Sequence, residues 1–193
     1  RIEPLHWLGR VAGEGLVDAI QVREKEMTTI ELVDWTRSVL QASGSTPVLV
    51  NDRVDVALMA GAAGAHLGQQ DLPLEDARNI ADGRLALGVS THDPAQLQAA
   101  ADGGASYAGF GPLWPSTTRG NQTGLGAAAW AATAAAIEIP VLAIGGITAG
   151  RVAELAAATG GATPIRIAVS AAICSAPDPI DAARRLRAAL DAC

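Results

Sequence analysis

Lysine is all but missing from this chain. Of 14 basic residues in 193, every one but Lys25 is Arg. Aromatic residues are nearly as scarce, at 3% of the chain with a single Tyr and a single Phe, while apolar residues make up 49%. A core must therefore be built mainly from Ala, Val, Leu and Ile, as where helices cover parallel strands. The two cysteines, Cys174 and Cys193, form neither a CxxC pair nor a disulfide framework, which excludes a thiolate metal site and fits a reducing cytoplasm. Basic runs are also lacking, and a net charge of −6 argues against general nucleic-acid binding. No uninterrupted apolar run approaches the roughly 18–20 residues of a membrane span. A soluble, cytoplasmic protein of one domain over residues 1–193 is expected.

The unusual lysine lies in Gln21-Val22-Arg23-Glu24-Lys25, which reads as the end of a strand. Alternation would place Gln21, Arg23 and Lys25 on one face. Three donors, two of them charged, make a cradle for a phosphate or diphosphate; the ordinary alternative is a solvated strand edge.

Strand and helix signals then alternate seven times at intervals of roughly 20–35 residues. A helix over Leu5 to Ala12 comes first. Strands follow at Ile20, Pro47–Val50, Ala63–Leu67, Leu85–Val89, Ser106–Gly111, Pro140–Ile144 and Ile165–Val169, each followed by a helix. Polar groups or glycines follow all seven strands, where an open doubly wound sheet would concentrate them at one switch point. The expectation is a TIM-type parallel β/α barrel, whose strand ends share one rim.

Among the strand-end residues are two acids, Asp52 and Asp71. Two carboxylates beside a diphosphate cradle repel unless a metal lies between them, and Mg²⁺ takes one or two carboxylates plus substrate phosphates. Ordinary alternatives are a helix N-cap for Asp52 and a turn residue before Pro73 for Asp71. Gly145-Gly146 opens a helix after one strand and Ser170 follows the next, the usual place in a barrel for a phosphate held by backbone N–H groups. His66 and His92 could act as acid or base, although each sits beside small or apolar residues where packing or capping is as natural. Trp114 could cover an aromatic ligand or anchor its loop.

Seven stretches together resemble the thiamine phosphate synthase family in order and spacing. They are Gln21 to Lys25, Asn51-Asp52-Arg53, His66 to Asp71, Gly88-Val89-Ser90, Gly109 to Arg119, Ala143 to Ile147, and Val169 to Ile173. The resemblance implies a transferase that joins an aminopyrimidine methyl diphosphate to a thiazole phosphate, yielding thiamine phosphate and diphosphate. It implies that Gln21, Arg23, Lys25, Asn51 and Ser90 hold the diphosphate, with Asp52 and Asp71 on Mg²⁺, and that Arg23, Lys25 and Ser90 are the residues nearest the chemistry. Ser116, Thr118, Gly146 and Ser170 would hold the thiazole phosphate. Two departures stand out. Ser116 and Arg119 replace the Thr and Lys of the family's loop, with Arg119 expected at the diphosphate. The strand that should precede the first helix is also missing, so an upstream extension and a gap beside the strand at Ile20 are expected. Competing readings are a thiazole tautomerase, in which Pro112 stands where such enzymes tend to carry a catalytic His, and a non-catalytic module binding thiamine phosphates. Partners are expected to be small molecules, with a homo-oligomer an option and no nucleic acid or membrane.

Overall fold

Short parallel strands alternate with helices throughout the chain in the computed structural model, which describes residues 4–115 and 124–193. The chain divides into two compact units, residues 1–89 and 90–193, with the boundary inside the strand Ala86–Thr91.

In the first unit, helix α1 (Pro4–Gly13) leads to β1 (Ile20–Val22), α2 (Thr29–Ser43), β2 (Val48–Asn51), α3 (Val54–Ala60), β3 (Gly64–Leu67), α4 (Leu74–Ala81) and the first part of β4 (Ala86–Thr91). The strands pair in sequence order, all parallel, with Val22 beside Val50, Asn51 beside His66 and Leu67 beside Val89. Helix α2 begins where the Thr28 side chain accepts from the Glu31 N–H while the Glu31 carboxylate accepts from the Thr28 N–H, a capping box. Its buried face carries Leu32, Val33, Thr36, Val39 and Ser43 at helical spacing. The two hydroxyls on that face are not stranded: Thr36 donates to the Leu32 carbonyl at 2.7 Å and Ser43 to that of Val39 at 2.6 Å. Helix α3 stops at Gly61, whose φ of 78° turns the chain back while its N–H closes on the Ala57 and Leu58 carbonyls. The core joins Val22, Val48, Val50, Ala65, Leu67 and Leu87 of the strands to Leu32, Val39, Val56 and Ala77 of the helices. Each fully buried Val or Leu contributes about 1.5–3 kcal/mol.

The second unit holds the end of β4, α5 (Pro94–Asp102), β5 (Tyr107–Phe110), α6 (Ala127–Ala135), β6 (Val141–Ile144), α7 (Ala149–Thr159), β7 (Ile167–Ala168), α8 (Ala171–Cys174) and α9 (Pro179–Asp191). Strands β5, β6 and β7 are parallel neighbours, with Phe110 beside Ala143 and Ile144 beside Ala168. Helices α5 and α9 start alike, with an Asp cap followed by Pro: Asp93 accepts from the Gln96 N–H, and Asp178 from those of Ile180 and Asp181. Scarce as aromatics are, the core here is centred on two of them, Phe110 and Trp130, packed with Leu97, Ala108, Ala143 and Leu155. Small alanines on β5, β6 and α6 leave the volume that these rings fill.

All seven expected strands form, and the α/β class read from the sequence is the one observed. Helix α8, four residues long, was not anticipated, because Ala171 to Cys174 is too short for a periodic signal. Among the described residues no helix is long and apolar enough to cross a membrane.

Candidate active site

In the first unit, Gln21 is exposed at the end of β1 and Val22 beside it is buried. The strand stops there. Arg23 and Lys25 therefore stand on a loop rather than continuing the strand's alternation. The reason is local. The Glu24 carboxylate accepts from the N–H groups of Glu26 at 3.1 Å and Lys25 at 2.7 Å, folding the backbone away from the ladder. Those two N–H groups, with the Arg23 charge, hold the Glu24 carboxyl below its usual range.

Asn51 is the last residue of β2, and Asp52 follows in a three-residue turn: φ at Asp52 is 64°, and the Arg53 N–H donates to the Asn51 carbonyl at 2.8 Å. Asp52 is not the N-cap of α3. Arg53 takes that position, without a side-chain cap, which leaves the Asp52 carboxyl to other work. The Asp52 N–H is fixed by the His66 carbonyl at 2.8 Å. Beyond β3, the Gly68 N–H donates to Asp71 Oδ2 at 2.6 Å; a Cβ at Gly68 would come within 2.7 Å of that oxygen, so a larger residue there would push the carboxylate aside. Asp71 closes a turn before Pro73, as its ordinary reading had it, and is also brought to Asp52.

The two carboxyls share a hydrogen bond. Burial first, then Asp71 through that bond and its charge, push the Asp52 pKa from 3.8 up to about 6, while the Lys25 and Arg23 cations pull it back. Asp52, Asp71, Arg23 and Lys25 thus act on one another within one unit: an acid pair facing two cations. Among the described residues no group of three or more His, Cys, Asp or Glu is gathered to cage a metal. A close acid pair suits a hard cation such as Mg²⁺, whose remaining positions are filled by water and phosphate oxygens.

In the second unit, Ser90 lies buried within β4, and Thr91 next to it donates its hydroxyl to the Gly109 carbonyl at 3.0 Å. The His92 ring is bound through Nδ1 to the Gly111 carbonyl, and its backbone N–H to Gln96 Oε1 at 2.9 Å. Because a carbonyl only accepts, Nδ1 carries the proton, and the residue is tied as a packed histidine would be.

Residues 111–115 run alongside the end of β6: Leu113 N–H donates to Ile144 O at 2.9 Å and Trp114 N–H to Gly145 O at 3.2 Å. Gly145 has φ 85°, and a Cβ there would sit 2.4 Å from that of Pro112, so the close approach requires glycine. Gly146, φ 68°, is held from below. The Arg151 guanidinium donates to the Gly146 carbonyl and lies 5.1 Å over the Trp114 ring. Trp114 is thus a loop anchor, stacked on a cation. Arg151 escaped the sequence reading, although a cation in the first turn of α7 opposes the helix dipole and was the available signal. Thr148 occupies the N-cap of α7 without bonding through its side chain. Ser170 precedes α8; its carbonyl accepts from Ile173 and Cys174, and its hydroxyl pairs with the Cys174 thiol. Ser116, Thr117, Thr118 and Arg119 lie outside the described residues.

The family model described as "Thiamine monophosphate synthase" matches residues 2–173. The chain belongs to the thiamine monophosphate synthase family. A relative named thiamine-phosphate synthase, from Anaeromyxobacter dehalogenans, is 40% identical over 185 residues, covering 95% of this chain and 82% of its own. Another of that name, from Chlorobium limicola, is 42% identical over 144 residues, covering 73% and 69%. Among solved structures, a thiamine phosphate pyrophosphorylase from Pyrococcus furiosus superposes with a TM-score of 0.87 at 32% identity, covering 99% of this chain and 91% of that one. As a thiamine monophosphate synthase family member with such relatives, the chain is an enzyme of that type, a transferase of thiamine biosynthesis acting on small molecules.

Proposed function

We propose that this enzyme joins 4-amino-2-methylpyrimidine methyl diphosphate to thiazole phosphate, releasing diphosphate and forming thiamine phosphate, with Mg²⁺ assisting departure of the diphosphate. The observation that carries the reading is Asp52 set against Asp71, its own pKa raised by burial and by that neighbour, with Lys25 and Arg23 close enough to oppose the shift. Mg²⁺, held by Asp52 and Asp71, would neutralise charge on the departing group.

The residues supply the rest. Gln21, Arg23, Lys25, Asn51 and Ser90 bind the diphosphate, and Arg119 takes the place of the family's loop lysine there. The bond between the methylene carbon and the diphosphate oxygen breaks with its electron pair staying on oxygen. The pyrimidine methyl cation so formed is captured by the lone pair of the thiazole nitrogen, which makes the C–N bond. No proton moves, so no general base is required. The need is for charge held ready where negative charge develops, which Arg23 and Lys25 provide. Ser116, Thr118, Gly146 and Ser170 hold the thiazole phosphate, with the N–H groups of the Gly145–Gly146 turn at the start of α7 as donors.

The test is to supply both substrates to the purified chain, with Mg²⁺ and with a chelator, and measure thiamine phosphate and diphosphate. Equal amounts of both products with Mg²⁺, and neither with chelator, are expected. Undiminished turnover in chelator refutes the metal assignment, and no product under either condition refutes the reaction.

A further inference from the structure

We infer that Arg53 is a positioning residue that locks the turn presenting Asp52 to the end of the loop carrying Arg23 and Lys25. The inference rests on the reading that Asp52 and Asp71 hold Mg²⁺ with a diphosphate.

Its backbone N–H closes the turn around Asp52 by donating to the Asn51 carbonyl at 2.8 Å. Its guanidinium grips Asp55 with two prongs, Nε to Oδ1 at 2.9 Å and Nη2 to Oδ2 at 2.6 Å. The same Nη2 reaches across 24 positions of sequence to the Thr29 hydroxyl at 2.9 Å. Thr29 is the first residue of α2, directly after Thr28, the cap that ends the Arg23–Lys25 loop. One side chain therefore spans from the metal turn to the cationic loop.

Stability alone does not explain this arrangement. Arg53 and Asp55 are both substantially exposed, and exposed ion pairs contribute little to folding. What a planar fork with two partners does supply is orientation, which a single flexible charge does not. The Asp52 backbone sits at a positive φ, and its direction depends on the groups that hold its neighbours. Fixing the separation between Asp52 and the loop fixes the gap that a magnesium-bound diphosphate must fill. Groups that orient metal-binding side chains typically govern affinity by about 10- to 100-fold.

The experiment titrates the full chain with Mg²⁺ and inorganic diphosphate by calorimetry, comparing wild type with Arg53→Lys, Thr29→Val and Asp52→Asn, each checked for folding by thermal melting. Arg53→Lys keeps the charge and loses the fork; Thr29→Val keeps the shape and loses the hydroxyl. About 10-fold or greater weakening is expected for Arg53→Lys, with a smaller loss for Thr29→Val. In turnover assays the diphosphate-substrate KM should rise with the thiazole phosphate KM unchanged. Wild-type affinity in both variants overturns the positioning role. Should Asp52→Asn also bind as wild type, the metal reading itself fails, and the inference falls with it; loss in Asp52→Asn alone refutes only the role of Arg53.

Discussion

Replacing Asp52 by Asn should stabilise the metal-free protein while removing its response to Mg²⁺. Asn accepts the positive φ of 64° that most residues resist, so the substitution changes charge with little backbone cost. The carboxyl titrates at about 6 in the fold against an ordinary 3.8. Ionised, it is therefore disfavoured by the fold, and the gap corresponds to about 3 kcal/mol before screening. Asp52 is only half-buried, and solvent reduces this to about 1 kcal/mol. The sign follows from linkage. A carboxyl whose folded pKa is raised gives its full stabilisation below 3.8, where it is protonated in both states. It loses that contribution progressively as pH rises to about 6, so above 6 the metal-free fold carries the penalty. In chelator at about pH 7.5, Asp52→Asn should raise Tm by about 2–4 °C for a chain of this size. Wild type should also gain stability on acidification from pH 7 to 5 at this site, and the variant should lack that gain. Adding Mg²⁺ with diphosphate should raise the wild-type Tm and not the variant's. The assay is differential scanning fluorimetry across a pH series. A lower Tm for the variant in chelator, or an equal magnesium response, would refute the account of the acid pair.

Asp71→Asn should nearly abolish turnover while leaving the circular dichroism spectrum unchanged, because it removes a metal charge and not a core contact; full activity at limiting Mg²⁺ would count against it. Gly145→Ala must place a methyl 2.4 Å from the Pro112 Cβ at a φ of 85°, so a loss of at least about 2 kcal/mol in urea unfolding is expected, with a raised KM for thiazole phosphate. Arg119→Ala should raise the KM for the pyrimidine diphosphate more than that for thiazole phosphate; equal effects on the two would remove Arg119 from the diphosphate.

The fold's elements were legible because their signals are local. Thr28 with Glu31, Asp93 with Pro94, and Gly61 each declare a helix boundary through bonds made within a few residues. The acid pair was legible by chemistry: two carboxylates beside a cationic stretch demand a partner. What escaped depends on backbone direction. Arg23 and Lys25 were read as strand residues because alternation is the default, and the Glu24 turn that ends β1 leaves no periodic trace. The capping role weighed for Asp52 went to Arg53, because a positive φ is not announced by an Asn-Asp pair. Arg151 was missed since its partner, the Gly146 carbonyl, is identical in every residue type. Phe110 and Trp130 show that rarity does not predict location: two rings suffice to organise the core of the second unit.

The exposed Lys25 loop has a practical consequence. The chain contains a single ε-amino group, so an amine-selective reagent has one side-chain amine to modify. That target stands beside the Glu24 turn, where the proposed diphosphate would lie over it. Chemical labelling followed by mass spectrometry becomes a footprint of one position. Protection of that amine by magnesium diphosphate can be read directly, free of the background that a lysine-rich surface would add.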